Sequence, residues 1–206
     1  MGQLHDNLLN GYRKFRQKYA EGAYPAMERL AALGQHPKVM IVACCDSRVD
    51  PALLLQCHPG DLFVVRNIAN IIPPFEDDDR HHGTSAALEY AVCYLGIDDL
   101  IILGHSECGG ISALLQKENM KQNDFITNWV SVSGMESLSH ITTEVDTISK
   151  KSLHVSYQNC LTFPWIKDRV ETEQLNIHRW FLDIQSGNVF SFNEKLKDFV
   201  PLLGLD

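Results

Sequence analysis

Three short apolar runs lie in the first half of the chain, each bounded by turn residues. They are rich in β-branched residues and do not alternate with polar positions, which is typical of parallel strands covered on both faces. The runs occupy residues 39–43, 62–65 and 100–103. Segments with a helical pattern follow each of them, at residues 52–57, 85–95 and 111–117. Strands that alternate with helices predict an α/β fold with right-handed crossovers.

The N-terminal segment has a different pattern. Within residues 3–33, apolar side chains recur three and four positions apart, which predicts one or two amphipathic helices that end at Gly34. These apolar residues are Leu8, Leu9, Tyr12, Phe15 and Tyr19. We interpret residues 1–34 as a helical arm, an element that often serves in packing or dimerisation.

The second half of the chain completes the predicted fold. Residues 125 to about 175 have a mostly helical pattern, and residues 180–184 and 189–192 predict a β-hairpin joined through Gly187. The predicted class is therefore α/β, with a mostly parallel central sheet flanked by helices, an N-terminal helical arm and a C-terminal β-hairpin. The chain has no internal repeat and no long linker, so we expect residues 1–206 to form a single domain with residues 35–206 as its core.

Composition narrows the classes of partner. The 206 residues are 45% hydrophobic and 21% charged, which is ordinary for a globular protein. A net charge of −8, with no run of Lys and Arg, argues against a nucleic-acid-binding surface. No apolar stretch approaches the roughly 20 residues that a membrane span needs, and the N-terminus lacks the apolar region of a signal peptide. We therefore expect a cytoplasmic protein with no nucleic-acid or membrane partner.

Two of the six cysteines stand near other potential metal ligands. Cys44 and Asp46 follow the first predicted strand, and His105 and Cys108 follow the third. The carboxyl ends of parallel strands meet at one edge of a sheet, so these segments can converge. Two thiolates and an imidazole suit zinc and leave a fourth position open, as catalytic zinc sites do. Spacing alone leaves the alternative equally open, because a His-x-x-Cys pair also arises by chance and Cys44 could be a core thiol.

Two motifs resemble those of a known family. ACCDSR, which contains Cys44, resembles the Cys-x-Asp-Ser-Arg signature of the beta carbonic anhydrases, and GHSECGG resembles their His-x-x-Cys-Gly-Gly motif. The resemblance extends from Gln35 to about Phe192, through segments such as GDLFVVRNIANIIPP and SYQNCLTFPWIKDRV.

The resemblance implies a zinc enzyme whose catalytic core is residues 35–206. One Zn²⁺ per subunit would be bound by Cys44, His105 and Cys108. Cys45 falls on the variable position of the signature. Because side chains alternate along a strand, we expect Cys45 to face away from the ion as a packed thiol.

The resemblance also implies an activity, the reversible hydration of carbon dioxide to bicarbonate and a proton by hydroxide on the zinc ion. In the family an aspartate orients this hydroxide and an arginine holds the aspartate, which implies that Asp46 and Arg48 are the catalytic pair. The substrate-binding positions of the family fall on Gln35, Phe63, Ile68, Tyr90 and Gly109. Family sites lie at dimer interfaces, which implies a homodimer or a dimer of dimers.

Two departures from the family pattern bear on regulation and local geometry. Some members bind bicarbonate in a non-catalytic pocket built from a Trp, an Arg and a Tyr. Ile41 and Leu182 stand at the Trp and Tyr positions, and only Arg66 matches, so we expect the subclass that lacks this pocket. Arg179 stands where the family commonly has the Gly of His-Gly-Trp, which leaves the backbone geometry there open.

Three other functions are compatible with parts of the sequence. The same zinc site could hydrolyse carbonyl sulfide or carbon disulfide, which are linear molecules like carbon dioxide. A non-catalytic zinc-binding sensor is a second alternative, although the retained Asp46, Arg48 and Gln35 argue against it. A thiol hydrolase that uses Cys108 and His105 is the third, but no residue is evident to orient the histidine.

Overall fold

A six-stranded sheet is the centre of the computed structural model, which describes residues 3–78, 80–115, 124–131 and 144–203. The strands are β1 (Val39–Cys44), β2 (Leu62–Asn67), β3 (Asp99–His105), β4 (Asn176–Leu182), β5 (Val189–Asn193) and β6 (Asp198–Pro201). Their order across the sheet is β2-β1-β3-β4-β5-β6. The first four are parallel, and β5 and β6 pair in antiparallel fashion. The predicted mostly parallel α/β sheet is confirmed.

Helices connect the strands and precede them. They are α1 (Gln3–Ala20), α2 (Pro25–Leu33), α3 (Pro51–Leu55), α4 (Gly83–Glu89), α5 (Gly109–Leu115), α6 (Phe125–Ser131), α7 (Val145–Cys160) and α8 (Pro164–Glu171). The predicted arm is two helices, and Gly34 ends the second with a φ of 81°. Among the described residues, no helix is both long enough and apolar enough to cross a bilayer.

Burial on both faces explains why β1 and β3 lack polar alternation. Met40 and Val42 of β1 pack into one apolar cluster, together with Leu100 and Ile102 of β3. The intervening residues of the two strands pack into a second cluster. Its strand members are Ile41, Ala43, Ile101 and Leu103. Each strand therefore contributes to two cores, as the continuous apolar runs predict.

The predicted helical segments lie close to their predicted positions, but one of them is only partly α-helical. The helix predicted at residues 85–95 begins at Gly83, and its last part, Tyr90–Leu95, is π-helical before Gly96 ends it with a φ of 65°. The long helical stretch predicted from residue 125 contains α6, α7 and α8. Residues 132–143 of that stretch, and residues 116–117 of an earlier predicted helix, lie outside the described part of the chain.

The C-terminal hairpin is present, and it belongs to a larger arrangement than the sequence predicted. Its first strand, β4, begins at Asn176 because it also pairs in parallel with all of β3. A further short strand, β6, adds to β5 and was not predicted. Arg179 does not disturb the backbone, since it stays in register opposite Ile102.

The Arg179 side chain is buried, with 4% of its surface exposed. Its guanidinium carbon lies 4.4 Å from the ring centroid of Tyr157 and 3.9 Å from that of Phe192. Glu194 forms an ion pair with it, and the ring nitrogen Nδ1 of His154 lies 2.6 Å from its Nη1. Stacking and pairing of this kind offset the desolvation of a buried guanidinium, which explains how the strand accommodates a large side chain where the family that the sequence resembles commonly has Gly.

Candidate metal centre

The three potential ligands lie at the ends of two neighbouring parallel strands. Cys44 is the last residue of β1 and His105 is the last residue of β3. Cys108 follows after a turn in which Glu107 adopts a left-handed conformation, with a φ of 54°. The Sγ atoms and a ring nitrogen of this set all lie within 4.8 Å of one another, and all three residues are buried. The structure therefore brings together the ligand set that the sequence predicts.

The hydrogen bonds of His105 leave one ring nitrogen free for a metal. Nδ1 lies 2.8 Å from the carbonyl oxygen of Ser106, and because a carbonyl only accepts, Nδ1 is the protonated nitrogen. Nε2 is buried and has no hydrogen-bond partner among the described residues. A buried polar atom without a partner is costly, and a metal ion would satisfy it. Two thiolates and one imidazole fit the chemistry of zinc.

The electrostatics of the cluster favour a cation. The neighbouring Cys108 thiol lowers the pKa of the Cys44 thiol to about 4 against the opposing effect of burial, and the proximity of His105 lowers it further. The same contact and burial raise the pKa of Cys108. Burial alone would lower the pKa of His105, but the neighbouring Cys44 and the Ser106 carbonyl raise it. Anionic sulfur at this position attracts positive charge, as a metal site requires.

A carboxylate and a guanidinium lie beside the cluster. Arg48 Nε donates to Asp46 Oδ1 at 3.0 Å and Arg48 Nη2 donates to Asp46 Oδ2 at 2.8 Å, while the Arg48 backbone N–H also donates to Oδ1 at 2.9 Å. This bidentate pairing lowers the pKa of Asp46 well below its usual range and raises that of Arg48. Asp46 is therefore held as an ionised hydrogen-bond acceptor.

Comparison with known proteins shows which protein family this chain is similar to. A sequence model described as carbonic anhydrase matches residues 39–189. The chain is 34% identical to the carbonic anhydrase of Synechocystis sp. over 94% of this chain and 73% of that protein, and 33% identical to that of Pseudomonas aeruginosa over 95% and 91%. The solved structure of the beta-carbonic anhydrase CcaA superposes with a TM-score of 0.89 at 32% identity, covering 99% of this chain and 94% of that one.

The chain belongs to the beta-class carbonic anhydrase family. Its similarity to curated members over nearly its whole length makes it a carbonic anhydrase by activity class. A more distant structural relative, from Sordaria macrospora, superposes with a TM-score of 0.79 at 25% identity over 93% of this chain and 98% of that one, and it is described as tetrameric.

Arg66 holds the end of β1 in this carbonic anhydrase. Its Nε donates to the carbonyl oxygen of Cys44 at 2.9 Å, and its Nη2 donates to that of Asp46 at 2.7 Å. Asp50, which caps α3 by accepting from the Leu53 N–H, lies 3.8 Å from Arg66 Nη1. Sequence reasoning missed this role. The register of β1 and β2, in which Arg66 lies opposite Ala43, is what brings Arg66 to these carbonyls, and the sequence alone does not give that register.

Asp146 holds the turn that carries Cys108. Its Oδ1 accepts the backbone N–H of Glu107 at 2.7 Å, and Arg48 reaches the carbonyl oxygen of Glu107 at 3.3 Å. These contacts stabilise a left-handed conformation that non-glycine residues adopt rarely. Asp146 lies in the first turn of α7, and nothing in the sequence linked it to the motif of His105.

The predicted substrate-binding residues fall into separate groups in one chain. The rings of Phe63 and Tyr90 lie 5.9 Å apart, and Tyr90 is 46% exposed. Ile68, which is 38% exposed, lies beside Gly110 so closely that a Cβ there would come within 2.6 Å of its Cγ2. Gly109 is exposed at the start of α5. Gln35 is also exposed, and its side chain makes no hydrogen bond with another described residue.

The structure corrects the prediction for Cys45. We expected a packed thiol, but Cys45 is exposed. It lies one residue beyond the end of β1, where its backbone N–H donates to the carbonyl oxygen of Asn67 at 2.9 Å. The helices that cover the faces of the sheet do not bury this position.

Proposed function

We propose that this carbonic anhydrase binds one zinc ion through Cys44, His105 and Cys108 and interconverts carbon dioxide and bicarbonate there. The observation that carries the proposal is the buried Nε2 of His105, which has no partner among the described residues. The imidazole lies with the Cys44 and Cys108 thiols in a cluster whose ligand atoms are all within 4.8 Å of one another, close enough to bind one ion. Zinc bound at such a site lowers the pKa of water from about 15.7 to about 7, and so supplies a nucleophile near neutral pH.

Asp46 and Arg48 orient the attacking water. Oδ1 of Asp46 accepts two hydrogen bonds from Arg48 and Oδ2 accepts one, so Oδ2 keeps more acceptor capacity for the O–H of the water. Because Arg48 keeps the carboxylate ionised, Asp46 accepts this hydrogen bond and does not compete by donating one. A fixed acceptor aims the oxygen lone pair of the water at the carbon of carbon dioxide.

The substrate wall is apolar, as a small molecule without a net dipole requires. We assign to this wall Phe63 and Tyr90, which pack together, and Ile68, which lies apart from them beside Gly110. The backbone N–H of Gly109 is a donor for the oxygen that gains charge. We assign Gln35 to the site of a second copy, because its amide is exposed and is not engaged within its own chain.

A homodimer or a dimer of dimers follows from the assignment of Gln35. The arm exposes Leu8 and Tyr12, and strand β2 lies at one edge of the sheet with Val64 exposed. Exposed apolar side chains of this kind mark surfaces that another chain covers. We propose that residues 35–206 form the catalytic core of a single domain and that the helical arm packs against the partner subunit.

The test is stopped-flow hydration of carbon dioxide together with zinc analysis of the same sample. We expect about one zinc per chain, hydration activity, and loss of activity when a chelator removes the metal. Full zinc content without hydration would favour a sensor and contradict the proposal. A faster turnover of carbonyl sulfide than of carbon dioxide by one preparation would favour the sulfur substrates.

We expect no allosteric inhibition by bicarbonate. Ile41 is fully buried and Leu182 lies with it in one apolar cluster, while the Nε and Nη2 groups of Arg66 are engaged by backbone carbonyls. An anion there would lose its hydrogen-bond donors, at roughly 1–3 kcal/mol per unpaired group. Initial rates against bicarbonate, with sodium chloride at equal ionic strength as the control, should follow a hyperbola. Sigmoidal inhibition would contradict this expectation.

A further inference from the structure

A groove lies between α7 and the β5–β6 hairpin. It has a volume of about 590 Å³, which is within the range of small-molecule sites. None of its lining residues belongs to the Cys44–His105–Cys108 cluster or to the Asp46–Arg48 pair. Nothing in the hydration of carbon dioxide uses this part of the molecule.

The helical spacing of α7 directs two lysines into the groove. Lys150 and Lys151 line it together with His154, which is one turn further along the same face of the helix. The opposite face of α7 is buried, for example at Ile148 and Leu153. Helix α7 is therefore fixed against the rest of the protein and forms one wall of the groove. Lys150 and Lys151 lie on this wall.

Two aromatic rings form the other wall. Phe192 and Phe199 pack with their centroids 5.3 Å apart and both line the groove. Arg179 stacks on the Phe192 ring and so fixes it in position. Rings held in this way form an apolar surface on which a flat ligand can stack at little cost in conformational entropy.

The lysines have no counterion within the described part of the chain. Lys150 lies above the Phe181 ring, at 4.8 Å, and neither it nor Lys151 forms an ion pair with a described carboxylate. The nearby Glu194 already pairs with Arg179 and with Lys197. Positive charge therefore accumulates on one face of a chain whose net charge is −8.

His154 adds a neutral donor beside the lysines. A guanidinium only donates, so the Nδ1 of His154 accepts from Arg179 and its proton resides on Nε2. Burial and the charge of Arg179 lower the pKa of His154, which keeps the ring neutral. Asp198 is the one acidic side chain that lines the groove.

We propose that this groove binds a small organic anion that carries a flat ring. The ring stacks on one of the two phenyl rings, Phe192 or Phe199, and meets the other at its edge, because the two rings are inclined at 74° to each other. A phosphate or carboxylate group is bound between Lys150 and Lys151. Both halves of the ligand contribute. The ring alone lacks the charge attraction, and a free inorganic anion lacks the apolar contact.

Calorimetric titration of the full chain with 1-naphthyl phosphate tests this proposal, with 1-naphthol and inorganic phosphate as the two half-ligands. We expect binding of 1-naphthyl phosphate to be at least about tenfold tighter than that of either half-ligand, and to weaken as salt is raised. Equal binding of inorganic phosphate, or no binding of 1-naphthyl phosphate up to millimolar concentration, would overturn the proposal.

Variants in which glutamine replaces one lysine, and so removes one positive charge, test where 1-naphthyl phosphate binds. Lys150→Gln and Lys151→Gln should each weaken binding of 1-naphthyl phosphate about fivefold. Lys167→Gln is the matched control, because Lys167 pairs with Glu171 on α8 and does not line the groove. Thermal melting establishes that each variant folds. An equal loss in the Lys167 variant would overturn the assignment, as would a change of oligomeric state in the groove variants with unchanged ligand affinity.

Discussion

Cys44→Ser is expected to lose zinc and hydration activity together. A serine hydroxyl is a poor zinc ligand, and only one thiol and one imidazole would remain at the site. Since changes to residues that only support a ligand already weaken metal binding about 10- to 100-fold, loss of a ligand should exceed about 100-fold. Zinc content after dialysis, measured by mass spectrometry, gives a readout that does not depend on activity.

Cys45→Ser is the matched control for the cysteine experiment. The two residues are adjacent, but Cys45 is exposed and lies beyond the strand end. Its substitution should change neither the zinc content nor the stability by a measurable amount. Retention of zinc by the Cys44 variant and its loss from the Cys45 variant would show that the ligand register is wrong.

Asp46→Asn is expected to keep zinc and to lose at least about 100-fold in kcat/KM. The amide has one acceptor oxygen, which Arg48 engages, so its NH₂ group faces the water as a donor and misorients it. Zinc content should remain near that of the unaltered protein, because the Asp46 carboxylate is not part of the Cys44–His105–Cys108 donor cluster.

Asp98→Asn controls for the loss of a surface carboxylate. Asp98 is exposed and lies 3.6 Å from Lys38, at the opposite end of β3 from His105. The variant should hydrate carbon dioxide at the unaltered rate. Normal turnover in the Asp46 variant would remove that residue from the mechanism.

The sequence was most informative where side-chain pattern and backbone geometry depend on each other. Continuous apolar runs identified β1, β2 and β3, and for β1 and β3 the reason is that strands covered on both faces need apolar residues at successive positions. Strand β2 has the same pattern but lies at an edge of the sheet with Val64 exposed, so there the prediction of two covered faces was wrong. The carboxyl ends of β1 and β3 could then be placed side by side. The convergence of Cys44 with His105 and Cys108 followed from that topology.

Features that depend on tertiary contacts could not be predicted. Asp146 reaches the Glu107 amide only because α7 packs across the sheet, and local pattern carries no information about that packing. Strand β6 is four residues long and includes Pro201, so it lacks the signal of a strand. Cys45 was misassigned because strand alternation was applied one residue beyond the last residue of β1.

The hydrogen bond between Asp146 and Glu107 has a consequence for cooperativity. The turn between His105 and Cys108 depends on a carboxylate from the first turn of α7 to hold its left-handed residue. When that end of the helix frays, the Glu107 amide loses its acceptor and the turn loses the contact that offsets its strain. We therefore expect the helix end and the ligand-bearing turn to open and close as one local folding unit, in which each contributes to the stability of the other.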